Sequence, residues 1–141
     1  MRLAALDRPE KALAALEEAV GLSPDHAAGR LHLALALTRV GRPDEAMPHL
    51  RRALELRPGD MAVRYQIATV SLLTGKVEQA RMELETILKE APQFTEAHVS
   101  LATVYYRLKR RADGDREMAI VQKLNAQAQA REPGANPAPK P

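Results

Sequence analysis

Apolar residues recur along this chain at intervals of three and four, the spacing that gathers them on one face of a helix. Leu13, Leu16 and Val20 make such a face, in a helix that Pro9 and Glu10 open. Two longer stretches then repeat a paired scheme. AAGRLHLALALTRV runs to Gly41, and a second helix carrying MPHLRRALEL stops before Pro58. VRYQIATVSLL runs to Gly75, and KVEQARMELETILKE stops before Pro92. A glycine just past a helix supports a left-handed cap. Pro43 suits a first helical turn, where its missing N–H costs nothing. Asp44 and Glu45 favour the same end through the helix dipole. A proline disfavours the helical conformation of the residue before it, which stops each second helix.

The scheme has a period. Pro24, Pro58 and Pro92 stand 34 residues apart. Ala12, Ala46 and Ala80 keep the same step, as do Leu16, Leu50 and Leu84, and Ala19, Ala53 and Ile87. A period of this length means one supersecondary unit stacked on copies of itself. With the proline at the thirty-second position, residues 1–26 form a partial first repeat, and residues 27–60 and 61–94 form two full ones. Residues 95–130 form a divergent terminal repeat with an extended last helix. In it Lys109 replaces the glycine, Ala126 the proline, and Gly114 the repeated alanine, the last at about 1 kcal/mol of helix propensity. Residues 131–141, rich in Pro and Ala, read as a disordered tail.

Composition sharpens this picture. Hydrophobic residues make up 45% of the chain, but the aromatic ones are only Tyr65, Phe94, Tyr105 and Tyr106. Much of the rest is alanine, which favours helix and close helix approach. A net charge of +3 without Lys/Arg runs interleaved with aromatics argues against a nucleic-acid surface. The densest basic patch, Arg107 to Arg111, reads as a solvated turn between helices. The absence of cysteine excludes disulfides, thiolate metal sites and a cysteine nucleophile, and leaves cytoplasm and periplasm equally open. No apolar run reaches the ~18 residues of a membrane span, so no membrane insertion is expected. The charged first twenty residues do not read as a signal peptide.

Catalytic chemistry is not apparent. His26, His32, His49 and His98 form no metal-spaced pair on one helix. Glu83 and Glu85 are two apart and do not share a helix face. The glycines are scattered singly, so there is no phosphate loop. No enzyme active site, metal or cofactor is expected.

The packed positions resemble the tetratricopeptide repeat. Small residues stand at the eighth position (Ala34, Ala68, Ala102), and the eleventh holds Leu37, Ser71 and Tyr105. Alanine holds the twentieth (Ala12, Ala46, Ala80), from which Gly114 departs. The twenty-fourth carries Leu16, Leu50, Leu84 and Met118, and the twenty-seventh Ala19, Ala53, Ile87 and Val121. The aromatic-rich fourth position is not kept, being Arg30, Arg64 and His98, and Ser71 is a weak match. The resemblance covers roughly residues 1–130. It implies an all-α fold, a right-handed alpha-alpha superhelix of about three and a half helix-turn-helix repeats.

It also implies where a partner would bind. In the family the first helices line an extended concave face. Carried onto this chain, the candidate partner-binding residues are Arg30, Leu31, Leu35 and Arg39, then Tyr65, Gln66, Thr69 and Leu72, then Val99, Thr103, Tyr106 and Arg107. Leu31, Leu35 and Leu72 have a competing reading as core residues, while Tyr65 and Tyr106 combine a large apolar body with a polar tip. The first helices carry Arg30, Arg39, Arg64 and Arg107 against one acid, Glu96. An apolar peptide or helix with acidic character would suit such a face. Chaperone-binding members clamp a terminal carboxylate with cationic side chains. Here the matching positions hold Leu31, Leu35, Gln66, Glu96 and Ser100, so that clamp is absent.

The ends depart most from the pattern. Leu3 and Leu6 belong to a remnant first helix, and Leu13, Leu16 and Val20 are expected to lack a full partner. Ile120 and Leu124 are expected at an uncovered edge. This suggests a distal piece of a longer array, or ends that pair with another copy or another protein. The expected function is a non-catalytic protein-protein interaction scaffold holding a protein or peptide on its concave face. The alternative is a C-terminal assembly module of a larger, possibly enzymatic protein, acting through its ends.

Overall fold

The computed structural model describes the backbone of residues 2–131 and the side chains of residues 8–131. The expected tail, apart from Arg131, lies outside them, as do the side chains of Leu3 and Leu6. Seven helices are described: α1 (Arg2–Leu22), α2 (Ala27–Arg39), α3 (Pro43–Leu56), α4 (Met61–Leu73), α5 (Val77–Glu90), α6 (Thr95–Arg107) and α7 (Arg111–Arg131). No strand occurs among the described residues.

Two kinds of turn alternate. Between the helices of a pair, Gly41 and Gly75 adopt φ of 83° and 86°, and Lys109 adopts 63°. All three turns share one hydrogen-bond pattern. The amides of Arg42, Lys76 and Arg110 each reach back 2.8 Å to the carbonyls of Leu37, Ser71 and Tyr105. This is the glycine-capped helix end, retained with a lysine in the third case. Between pairs, the prolines preset the turn. His26, Asp60 and Phe94 donate to the carbonyls of Ser23, Arg57 and Ala91, each closing a turn with proline second. His26 and Asp60 then cap the next helix, His26 through Nδ1 to the Gly29 amide and Asp60 to the amides of Ala62 and Val63.

The first repeat departs from the sequence reading. Pro9 does not open a helix but lies inside α1, which runs unbroken from Arg2. The reason lies at Asp7, which holds the place taken later by Gly41, Gly75 and Lys109. Asp7 keeps a helical backbone without positive φ, so nothing turns the chain there. The remnant and the following helix are therefore one element.

The chain divides into two compact units, Met1–Gln79 and Ala80–Pro141. In the first, α2 packs against α1, α3 and α4, and α3 against α4. Its core gathers Leu13, Val20, Leu33, Leu37, Met47, Leu50 and Val70 around the small Ala34 and Ala46. Leu13 and Val20 are thus sealed by their neighbours, contrary to expectation, while Leu16 is half-buried against the same cluster. In the second unit α6 packs on α7. Its buried residues include Leu84, Ile87, Leu101, Val104, Tyr105 and Val121.

Candidate functional site

The first-helix faces can be followed residue by residue, beginning with α2 and α4, which touch in the first unit. Leu31 is half-buried and packs against the core, which favours its structural reading. Leu35, Tyr65, Gln66, Thr69 and Leu72 are all half-buried, and Arg39 is exposed. Thr69 donates its hydroxyl to the Tyr65 carbonyl, and Thr38 does likewise to Ala34, so both hydroxyls are engaged on their own helices. Within α2 and α4 the charged side chains are Arg30, Arg39 and Arg64, with no acid. Half-buried apolar residues, with three arginines and no acid in the same helices, are what α2 and α4 offer.

Arg30 is not a free member of this face. Its Nε donates to the Pro24 carbonyl at 2.8 Å, and its Nη1 donates to Nδ1 of His49 on α3 at 3.1 Å. It ties the proline turn and both helices of its repeat together.

In the second unit α6 exposes Val99, Thr103, Tyr106 and Arg107. Thr103 donates to the Val99 carbonyl. Tyr106 is 41% exposed, but its hydroxyl already donates to Asp115 at 2.7 Å. That bond, with some burial, raises the Tyr106 phenol above its ordinary range. The ring rests on Gly114, where an added Cβ would lie 2.5 Å from Cε1. The glycine that departs from the alanine pattern is thus the seat of this tyrosine.

Two further clusters in the second unit escaped the sequence reading. His98, buried on α6, places Nε2 2.7 Å from the Pro92 carbonyl and Nδ1 2.6 Å from Oε1 of Glu117 on α7. A carbonyl only accepts, so Nε2 donates to Pro92. Tyr105 donates to Oε2 of Glu85 at 2.6 Å, while Arg81 holds the other carboxylate oxygen and Arg110 lies 4.7 Å over the phenol ring. Burial and the Glu85 bond push Tyr105 up to about 12. Burial also pushes the Glu85 carboxyl up, but the bonds from Tyr105 and Arg81 outweigh it and leave it below its usual range. The signal for the histidine cluster was the 19-residue interval from the fourth position to the twenty-third: Arg30 to His49, Arg64 to Glu83, His98 to Glu117.

Among the described residues no group of three or more His, Asp or Glu is placed to hold a metal ion. No described helix is long and apolar enough to cross a membrane.

No curated protein matches the chain. Solved structures of MamA do match in fold. One from Desulfovibrio magneticus RS-1 superposes with a TM-score of 0.78 at 17% identity, covering 89% of this chain and 71% of that one. Another MamA crystal structure gives 0.75 at 20% identity, covering 94% and 73%. A third, designated MSR-1 C2, gives 0.74 at 18% identity, covering 89% and 72%. One family model of the tetratricopeptide repeat matches residues 37–102, and a second matches residues 1–60. The repeat register, the paired turns and these matches agree: the chain belongs to the tetratricopeptide repeat family.

Proposed function

We propose that this chain is a non-catalytic protein-interaction scaffold whose first helices take up a peptide or partner helix. Membership of a repeat family built to present helix faces supports the scaffold role. The observation that carries the finer reading is the adjacency of α2 and α4, with Leu35, Tyr65 and Leu72 each only half-buried. Such residues lose further water contact when a partner covers them, and tyrosine is a frequent anchor in that setting. The cations of α2 and α4, with no acid among them, suit a segment of apolar anchors flanked by carboxylates. On α6 the exposed Val99 and Tyr106 offer further apolar area.

Affinity capture with the intact chain tests this, run beside Tyr65→Ala and Tyr106→Ala variants of unchanged helix content. A protein held by the wild type should bind Tyr65→Ala at least about tenfold more weakly. Equal retention by both variants overturns the assignment to these faces.

A second reading, assembly through the terminal helices, is favoured by Ile120. It is 37% exposed on α7, where the earlier repeats carry Arg52 and Thr86. A monodisperse monomer in concentrated sedimentation runs counts against it.

A further inference from the structure

The fourth and twenty-third positions of the repeat meet across a helix pair, and two repeats wire them with opposite chemistry. In the second repeat Arg30 donates to Nδ1 of His49 at 3.1 Å. A guanidinium can only donate, so Nδ1 carries no proton and the ring proton sits on Nε2. A proton added to Nδ1 removes that bond and sets two cations against each other. In the fourth repeat the imidazole is on the first helix, and His98 Nδ1 faces the carboxylate of Glu117 instead. A proton there meets an anion.

The surroundings of His49 favour the neutral ring. It is half-buried on α3. From α2 it faces Arg30, and from α1 it faces Glu17, which pulls the other way. The only charged side chain within α4 is Arg64. On α3 itself Glu45 is held by Arg42, and Arg52 by Asp25 and Glu55. Burial first and Arg30 second hold the imidazole below the ordinary histidine range, outweighing Glu17.

We infer that the corner where α2 meets α3 is an acid-sensitive joint: protonation of His49 releases Arg30 and loosens the start of α2. The sign follows from linkage. Below the ordinary histidine value of 6.5 the unfolded chain takes up a proton that the folded joint resists. Stability from this corner is therefore present above that pH and is lost as the pH falls below it.

Hydrogen exchange of the intact chain between about pH 7.5 and about pH 5.5, the interval over which histidine charges, tests the inference. After correction for intrinsic rates, α2 and α3 should lose protection several-fold at the lower pH, and more than α6 and α7, which lack the Arg30–His49 contact. His49→Gln offers an amide oxygen to Arg30 and does not titrate, so it should abolish the loss. Equal loss in both helix pairs, no loss in either, or a loss that survives in His49→Gln overturns the inference. Imidazole NMR of the wild type provides a check that needs no variant. A His49 ring protonated on Nδ1 at neutral pH is incompatible with the joint.

Discussion

Gly114 and Tyr106 show how a single departure from a repeat pattern acquires a reason. By helix propensity alone, alanine at this position would be worth about 1 kcal/mol. The ring of Tyr106 occupies the space that its methyl group would need, at 2.5 to 2.8 Å. Gly114→Ala must therefore push the ring away and break its bond to Asp115. We expect little net change in urea denaturation, the displaced ring and its lost bond offsetting the propensity gain of about 1 kcal/mol. In a Tyr106→Ala background the same substitution should instead stabilise by about 1 kcal/mol. Additive effects across the two backgrounds would show that the ring is free of Gly114. Lys109 is the converse case, a side chain held at a φ of 63° where the earlier turns use glycine. The left-handed conformation costs an ordinary residue about 1–2 kcal/mol. Glycine recovers that but adds some unfolded-state entropy, so Lys109→Gly should stabilise by about 1 kcal/mol. An unchanged denaturation midpoint would mean that the lysine is not strained there.

Between elements, the repeat is held by more than its signature alanines and leucines. Ala34, Ala46, Ala80 and Ala102 are buried and let helices approach, as their period implied. The polar ties from α2 to α3 and from α6 to α7 use positions outside that signature. His98 is 6% exposed and bridges Pro92 and Glu117, so its removal leaves a carbonyl and a partly buried carboxylate without their bonds. His98→Leu should cost about 2 kcal/mol. Adding Glu117→Met should restore more than half of it, since an apolar pair is tolerated where a lone buried acid is not. If the double variant is less stable than His98→Leu, the bridge is not what binds α6 to α7. The interval linking these positions was visible in the sequence. Its meaning was not, because Arg/His and His/Glu share no residue-type pattern until their atoms are seen to meet.

For the molecule as a whole, the buried tyrosine gives a stability limit on the alkaline side. Tyr105, with its pKa raised to about 12 from an ordinary 10.0, favours the neutral phenol in the folded state. Its contribution is fully present below pH 10.0 and is lost as the pH rises towards 12, where the unfolded chain has already given up the proton. Absorbance titration should show Tyr105 ionising late, at about pH 12, and denaturation midpoints should fall across the same interval. In Tyr105→Phe the ionisation at about pH 12 should vanish and that part of the decline with it. The apolar spacing of three and four determined the helical class, and the 34-residue period most of the turns, because stacking identical units imposes the same small and large residues at the same places. Neither could determine where the repeat yields. That Leu31 packs on the core and that Arg30 and Tyr106 are already bonded follow from contacts between residues on different helices. Periodicity records which positions must be alike; only the packed structure decides what the unlike ones touch.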